Sequence, residues 1–178
     1  MTLSEILLDS ILHRFRGLDK QGRDAIAQVR DGEFTWQPDP ETNSIAVIVK
    51  HMHGNMLSRW TDFLTSDGEK AWRKRDDEFI AGDELNTSDA ILSLWDEGWK
   101  CTLDVLTALE PDDLLREVEI RGQKLTVPDA INRQIAHYSY HIGQLVQLAH
   151  MLRGSEWKTL SIARGESLVY NAKLTGRD

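Results

Sequence analysis

Apolar residues recur at intervals of three and four in four separate stretches of the chain. Leu3, Ile6, Leu7, Ile11, Phe15, Leu18, Ala25 and Val29 predict a helix over residues 3–29, with Gly17 and Gly22 as kink points. The segment FTWQPDPETNS breaks the period with two prolines and several turn formers. A second helix starts at Asn43 or Ser44, both good caps, and carries Ile45, Ile48, Val49, Met52, Met56, Trp60 and Phe63. Residues 65–86 are mixed in charge and without period, which predicts a long crossover. A third stripe, Leu92, Trp95, Trp99, Leu103, Leu106 and Leu109, begins after Thr87 or Ser88 and stops at Pro111. EVEIRGQKLTV alternates instead, predicting a small β-hairpin turning at Arg121-Gly122. The fourth stripe is Ile131, Ile135, Tyr138, Ile142, Leu145, Ala149 and Leu152. Thr126 with Asp129 caps its start, Pro128 fits its first turn and Gly154 closes it. Residues 155–178 are weakly patterned; they either cross the other helices or form a short extra helix.

Four amphipathic helices predict an all-α four-helix bundle. The long connection lies between helices two and three and is long enough to run the length of a bundle. Helix three would then lie parallel to helix two, giving up-down-down-up topology. One domain over residues 1–178 is expected, with the bundle in 1–154 and an extension in 155–178.

Composition narrows the function classes. A net charge of −8 argues against nucleic acid, whose phosphates require a basic surface. The single cysteine, Cys101, excludes an intramolecular disulfide and a cysteine zinc site. It falls opposite the third stripe and is read as structural or incidental. The first residues, MTLSEILLDSILHRF, contain Glu5 and Asp9 and read as an amphipathic helix rather than a signal peptide. The longest apolar run, Ile45–Val49, is too short to span a bilayer. A cytoplasmic protein without membrane or nucleic-acid partners is expected.

The candidate chemistry is in the histidines. His137 and His141, in HYSYHIGQ, are four apart, so on a helix they differ by about 40° in direction and can share one ion. They flank the apolar stripe instead of occupying its centre. A third imidazole from KHMHGNM, either His51 or His53, would complete the form of a catalytic zinc site with an open position. Tyr138 stands where a HExxH protease has its glutamate. No histidine is preceded three residues earlier by glutamate, which argues against a di-iron site. A mononuclear site remains, suited to zinc, nickel, iron or copper.

HYSYHIGQ and KHMHGNM, with residues 43–79 around the second motif, make the chain resemble the DinB/YfiT-like superfamily of metal-dependent enzymes, over residues 1 to about 154. The resemblance implies a four-helix bundle with a crossover after helix two. It also implies one divalent metal, zinc or nickel before iron, on three histidines. The family pattern of His, Leu or Met, any residue, a small residue and Asn matches His51-Met52-His53-Gly54-Asn55, with His51 as ligand. Periodicity favours His53, which lies nearer the stripe centre. The offset of His51 from its stripe matches that of His137 and His141. His51 is therefore taken as ligand and His53 as the alternative.

Characterised relatives imply a transferase or isomerase using a low-molecular-weight thiol. A transferase or hydrolase acting on a small molecule is thus the first reading. A non-catalytic metal-binding bundle, serving as a stress-response or binding module, is the alternative. A homodimer is implied by resemblance alone. Asn55, Tyr138 and Gln144 are candidate pocket or supporting residues. Gly143-Gln144 reads first as close helix packing with a structural hydrogen bond. Arg59, Arg73, Lys74 and Arg75 could bind an anion, but Asp76, Asp77 and Glu78 follow, and a solvated loop is expected. Trp72 is either a lid or an anchor for the crossover. Trp36, Trp60, Trp95 and Trp99 are assigned to the core.

Overall fold

A computed structural model describes residues 1–176. The chain is mostly helical, 64%, with five α-helices and one two-stranded antiparallel hairpin among the described residues. In order these are α1 (Leu3–Ile26), α2 (Ile45–Trp60), α3 (Ser88–Ala108), β1 (Glu117–Ile120), β2 (Gln123–Thr126), α4 (Val127–Arg153) and α5 (Ser167–Thr175). No described helix is long and apolar enough to cross a membrane.

The helix starts follow local chemistry. Thr2, Ser44, Thr87 and Thr126 each accept a hydrogen bond from a backbone N–H of the first turn that has no partner within the helix. Thr2 and Glu5 form a reciprocal capping box; Thr126 is bonded by the Asp129 N–H alone. Helix α1 runs unbroken through Gly17 and Gly22, so neither acts as a kink. The reason for Gly22 lies across the interface, where a Cβ would overlap the Trp95 indole. Helix α2 ends at Trp60 rather than at Phe63, because Asp62 takes a positive φ of 51° and turns the chain. Phe63 still reaches the core from that turn.

Helix α2 packs against α3 and α4, and α1 packs against the same two helices. Their stripes meet in one apolar core. At its centre the Phe15 ring stands edge-on to Trp60, Trp99 and Tyr138, with centroids 5.7, 6.4 and 6.0 Å away. Contacts of this geometry add roughly 0.5–1.5 kcal/mol each beyond area burial. Trp36 is not part of this core. It sits in the proline-rich connection and is 38% exposed.

The hairpin forms as its alternation requires, with Val118 and Ile120 turned inward. Arg121 and Gly122 both have positive φ, 57° and 70°, the backbone of a tight two-residue hairpin turn. Asp67 holds that turn by accepting the N–H groups of Arg121 and Gly122 at 2.8 and 2.7 Å. The tail does both in part: Trp157 and Leu160 pack against the core, and α5 follows as a short extra helix with no buried residue.

The crossover is more built than its composition predicts. At its start the Ser58 hydroxyl donates to the Gly68 carbonyl at 2.7 Å, and the Arg59 guanidinium donates to the same oxygen. At its end the Lys50 ammonium reaches the Ile80 carbonyl at 2.6 Å. Between these ties, a single-turn 3-10 segment, Arg75–Phe79, packs on α2.

Candidate metal centre

Helix α4 carries His137 and His141 on one side, and α2 lays His51 against them. One ring nitrogen of each lies within 4.8 Å of the others. His137 Nε2 is 3.3 Å from His51 Nε2 and 3.1 Å from His141 Nε2. Three nitrogens bound to one metal at about 2.05 Å sit about 2.9 Å apart at right angles and about 3.3 Å apart at the tetrahedral angle. Both His137 separations fall in that interval, and the His51 and His141 nitrogens lie within 4.8 Å of each other.

The opposite nitrogens explain which atoms converge. His51 Nδ1–H donates to Glu78 Oε2 at 2.9 Å, and His141 Nδ1–H donates to Gln144 Oε1 at 3.0 Å. Each bond fixes the tautomer that leaves Nε2 as a bare lone pair. With two acceptors fixed, the single nitrogen of His137 cannot satisfy the cluster by sharing protons. A cation can, so the donor set fits a divalent transition metal. Burial, reinforced by the neighbouring imidazoles, pushes His137 down to about 3. Burial and His51 push His141 down to about 4. Both are neutral ligands at ordinary pH.

Glu78 is itself held. Arg73 Nε donates to its Oε1 at 2.7 Å and Arg73 Nη2 to its Oε2 at 2.8 Å. Burial alone would raise the carboxyl pKa; the bonds from Arg73 and His51 outweigh it and the net shift is downward. The carboxylate lies against Gly54, one turn past His51. A Cβ at Gly54 would overlap Oε1 and stand 2.8 Å from Cδ. The mid-helix glycine therefore makes room for the group that orients the ligand.

The solvated loop expected at residues 73–78 is thus corrected in part. Lys74, Arg75, Asp76 and Asp77 are exposed, but Glu78 is buried and the Arg73 side chain is 2% exposed. Composition could not separate them, because the two buried residues stand inside a run of like-looking charges. The one local signal was Gly54, a helix-weakening residue in mid-helix that needs a packing reason.

Other candidates take definite places. His53 lies outside the cluster, paired with Glu97 Oε2 at 2.9 Å. Tyr138 is fully buried; it accepts from Trp60 Nε1 at 3.0 Å and donates to Asn55 Oδ1 at 3.2 Å. With its oxygen so used, Asn55 has an N–H donor left to offer. A Cβ at Gly143 would meet nothing within 4 Å, so no close approach requires a glycine there, while the hydrogen bond of Gln144 goes to a candidate ligand. Trp72 is 56% exposed and lines none of the described cavities. Cys101 is half-buried on the edge of the core, and burial pushes its thiol pKa up, away from reactivity.

His51 and His137 form one wall of a cavity of about 160 Å³. Asn55, Gln134 and Arg59 also line it, with four further arginines. Arg59 is buried and spends Nη2 on Glu69 at 3.2 Å.

These features define a mostly helical protein with a three-imidazole candidate metal centre open to a cavity. A family model described as "Protein of unknown function (DUF1572)" matches residues 2–166, and the chain belongs to that family, a DinB-like one. No curated protein matches the chain.

Proposed function

We propose that this protein is a metal-dependent enzyme acting on a small molecule, as a thiol-dependent transferase or a hydrolase. The observation that carries the reading is the convergence of three Nε2 atoms, two of whose rings are fixed from behind by Glu78 and Gln144. His51, His137 and His141 would hold the ion, zinc or nickel before iron. A bound divalent metal supplies a Lewis acid that lowers the pKa of a thiol or water. The chain's own residues then orient and enclose. Glu78 and Gln144 set the ring planes, and Asn55, locked by Tyr138 and Trp60, offers a fixed donor to the cavity. Structural metal sites are closed by protein ligands, whereas a set of three histidines, two of which line a cavity, leaves a position open. That difference favours an enzyme over the non-catalytic binding bundle.

The same reading takes the four long helices as an up-down-down-up bundle, in one domain, with a low-molecular-weight thiol as co-substrate. It includes a homodimer in the cytoplasm; a monomeric mass in solution would remove the dimer.

Metal analysis of tag-free protein tests the centre. One ion per chain is expected, lost in His137→Ala/His141→Ala and kept in His53→Ala. Full metal content in the double variant would refute the site. Conjugation assays over a panel of thiols and electrophiles test the chemistry. Metal-loaded protein inactive across that panel and towards hydrolysable esters and amides would turn the reading to the binding module.

A further inference from the structure

The cavity beside the histidines is lined by five arginines in a chain whose net charge is −8. They come from four separate segments: Arg59 from α2, Arg73 and Arg75 from the crossover, Arg121 from the hairpin turn and Arg133 from α4. Three carboxylates stand near them, and all three are engaged. Glu78 is taken by Arg73 and His51. Glu69 is shared by Arg59 and Arg121, at 3.2 and 2.9 Å. Asp67 accepts three backbone N–H groups. The lining of the cavity itself carries five guanidinium groups and no carboxylate. Among the described residues, neither Arg75 nor Arg133 joins an ion pair; Arg75 lies over the Phe79 ring, 5.2 Å from its centre.

Two buried nitrogens of the lining arginines are also without a partner. Arg73 Nη1 and Arg59 Nε have no protein partner, although both side chains are at least nine-tenths buried. Gathering like charges and leaving buried N–H groups unpaired both cost stability, and a protein keeps such an arrangement where a ligand completes it. Guanidinium groups match oxyanions, which accept two parallel N–H bonds from each fork.

We propose that this cavity is an oxyanion subsite, so that the substrate at the metal centre is a small acid carrying a carboxylate or phosphate group. Arg75, Arg121 and Arg133, all exposed, ring the mouth and draw the anion in. Arg73, Arg59 and the Asn55 amide receive it inside, next to His51 and His137. The cavity volume corresponds to about five water molecules at ~30 Å³ each, which limits the enclosed part to one anionic group and a few carbons. The proposal rests on the metal-centre reading for its substrate but concerns residues that are not ligands.

The test measures binding of two probes, inorganic phosphate and succinate, with succinamide as the uncharged control. Titration calorimetry is run on the full chain in three forms: metal-loaded, His137→Ala/His141→Ala, and Arg75→Gln/Arg133→Gln. The expected result is that an anionic probe binds the first two forms and the control does not. Arg75→Gln/Arg133→Gln should weaken that binding about tenfold or more while keeping its fold and metal content. Preference between phosphate and succinate identifies the oxyanion. Metal binding with no anion binding overturns this proposal and leaves the metal-centre reading standing. Anion binding unchanged in the arginine variant overturns it too, since the site would lie elsewhere. A parent chain that binds the anion but takes up no metal upholds the subsite and refutes the metal-centre reading.

Discussion

Replacing Glu78 by glutamine keeps the shape of the side chain and removes its charge. Three hydrogen bonds end on that carboxylate, one from His51 and two from Arg73, and the residue is 6% exposed. Breaking a buried ion pair from one side costs about 3–5 kcal/mol, because the remaining charge is stranded. Glutamine keeps an oxygen that still accepts one of the three bonds, so the low end, about 3 kcal/mol, applies. For a chain of this length that is a fall in Tm of about 6–12 °C for metal-free protein. Metal binding loses separately. Losing the acceptor behind a ligating histidine lowers affinity about 10–100-fold; glutamine keeps a weaker, uncharged acceptor and should cost only part of that, whereas leucine removes it. Chemical denaturation of the metal-free protein reads the first effect, and competition with a chromophoric chelator reads the second. Arg73→Met/Glu78→Leu separates them: with no stranded charge the stability should largely return, while the affinity should not. If Arg73→Met/Glu78→Leu binds metal within about twofold of the parent, Glu78 serves only Arg73, and the claim that it orients His51 is refuted.

Gly54→Ala should act on the same carboxylate from the other side. Alanine favours the helix by about 1 kcal/mol, but its Cβ occupies the place of Glu78 Oε1, so metal affinity should fall while α2 stays helical by circular dichroism. An affinity equal to the parent's would mean that the carboxylate moves aside without consequence. The metal-free chain should also lose stability as the pH falls from about 6.5, the ordinary histidine value. His137 and His141 are held down to about 3 and about 4 in the folded state, so the unfolded chain binds more protons between those limits. The histidine share of the decline should end below about 3, where carboxylates held low, Glu78 among them, carry it further; denaturation midpoints at pH 7 and pH 5 check the histidine share. A His137→Ala/His141→Ala protein with the same pH slope as the parent would assign the effect to other groups.

The sequence pattern carried the helices because each stripe has a long run, a capping hydroxyl and a stop. It carried His137 and His141 for a similar reason: their geometry is local to one helix. The choice between His51 and His53 depended on the rotation of α2, which its own stripe sets only coarsely. The hairpin was legible in the alternation of Val118 and Ile120 and in the Arg-Gly turn. Arg73 and Glu78 were not legible. Their burial comes from a crossover folding back on α2, and no period marks which charges of such a segment turn inward. The arginine cavity was hidden likewise, since its residues come from four segments brought together only by tertiary packing. Trp36 shows the converse: a large apolar residue suggests the core, yet its proline-rich connection holds it at the surface.

The separations along the chain also set an order of events. His137 and His141 come together whenever α4 forms one turn, but His51 stands 86 residues from His137 and meets it only when α2 docks. Glu78 closes behind His51 across a further 27 residues of chain. A long loop must be closed before either contact forms, so the complete donor set is among the last features to assemble. A metal held here cannot act as the seed of folding, as it does in a zinc finger. It locks the finished structure instead, adding about 4 kcal/mol at a thousandfold excess over its dissociation constant. The rate at which newly made chains acquire tight metal binding would therefore serve as a clock for the docking of α2 onto α4.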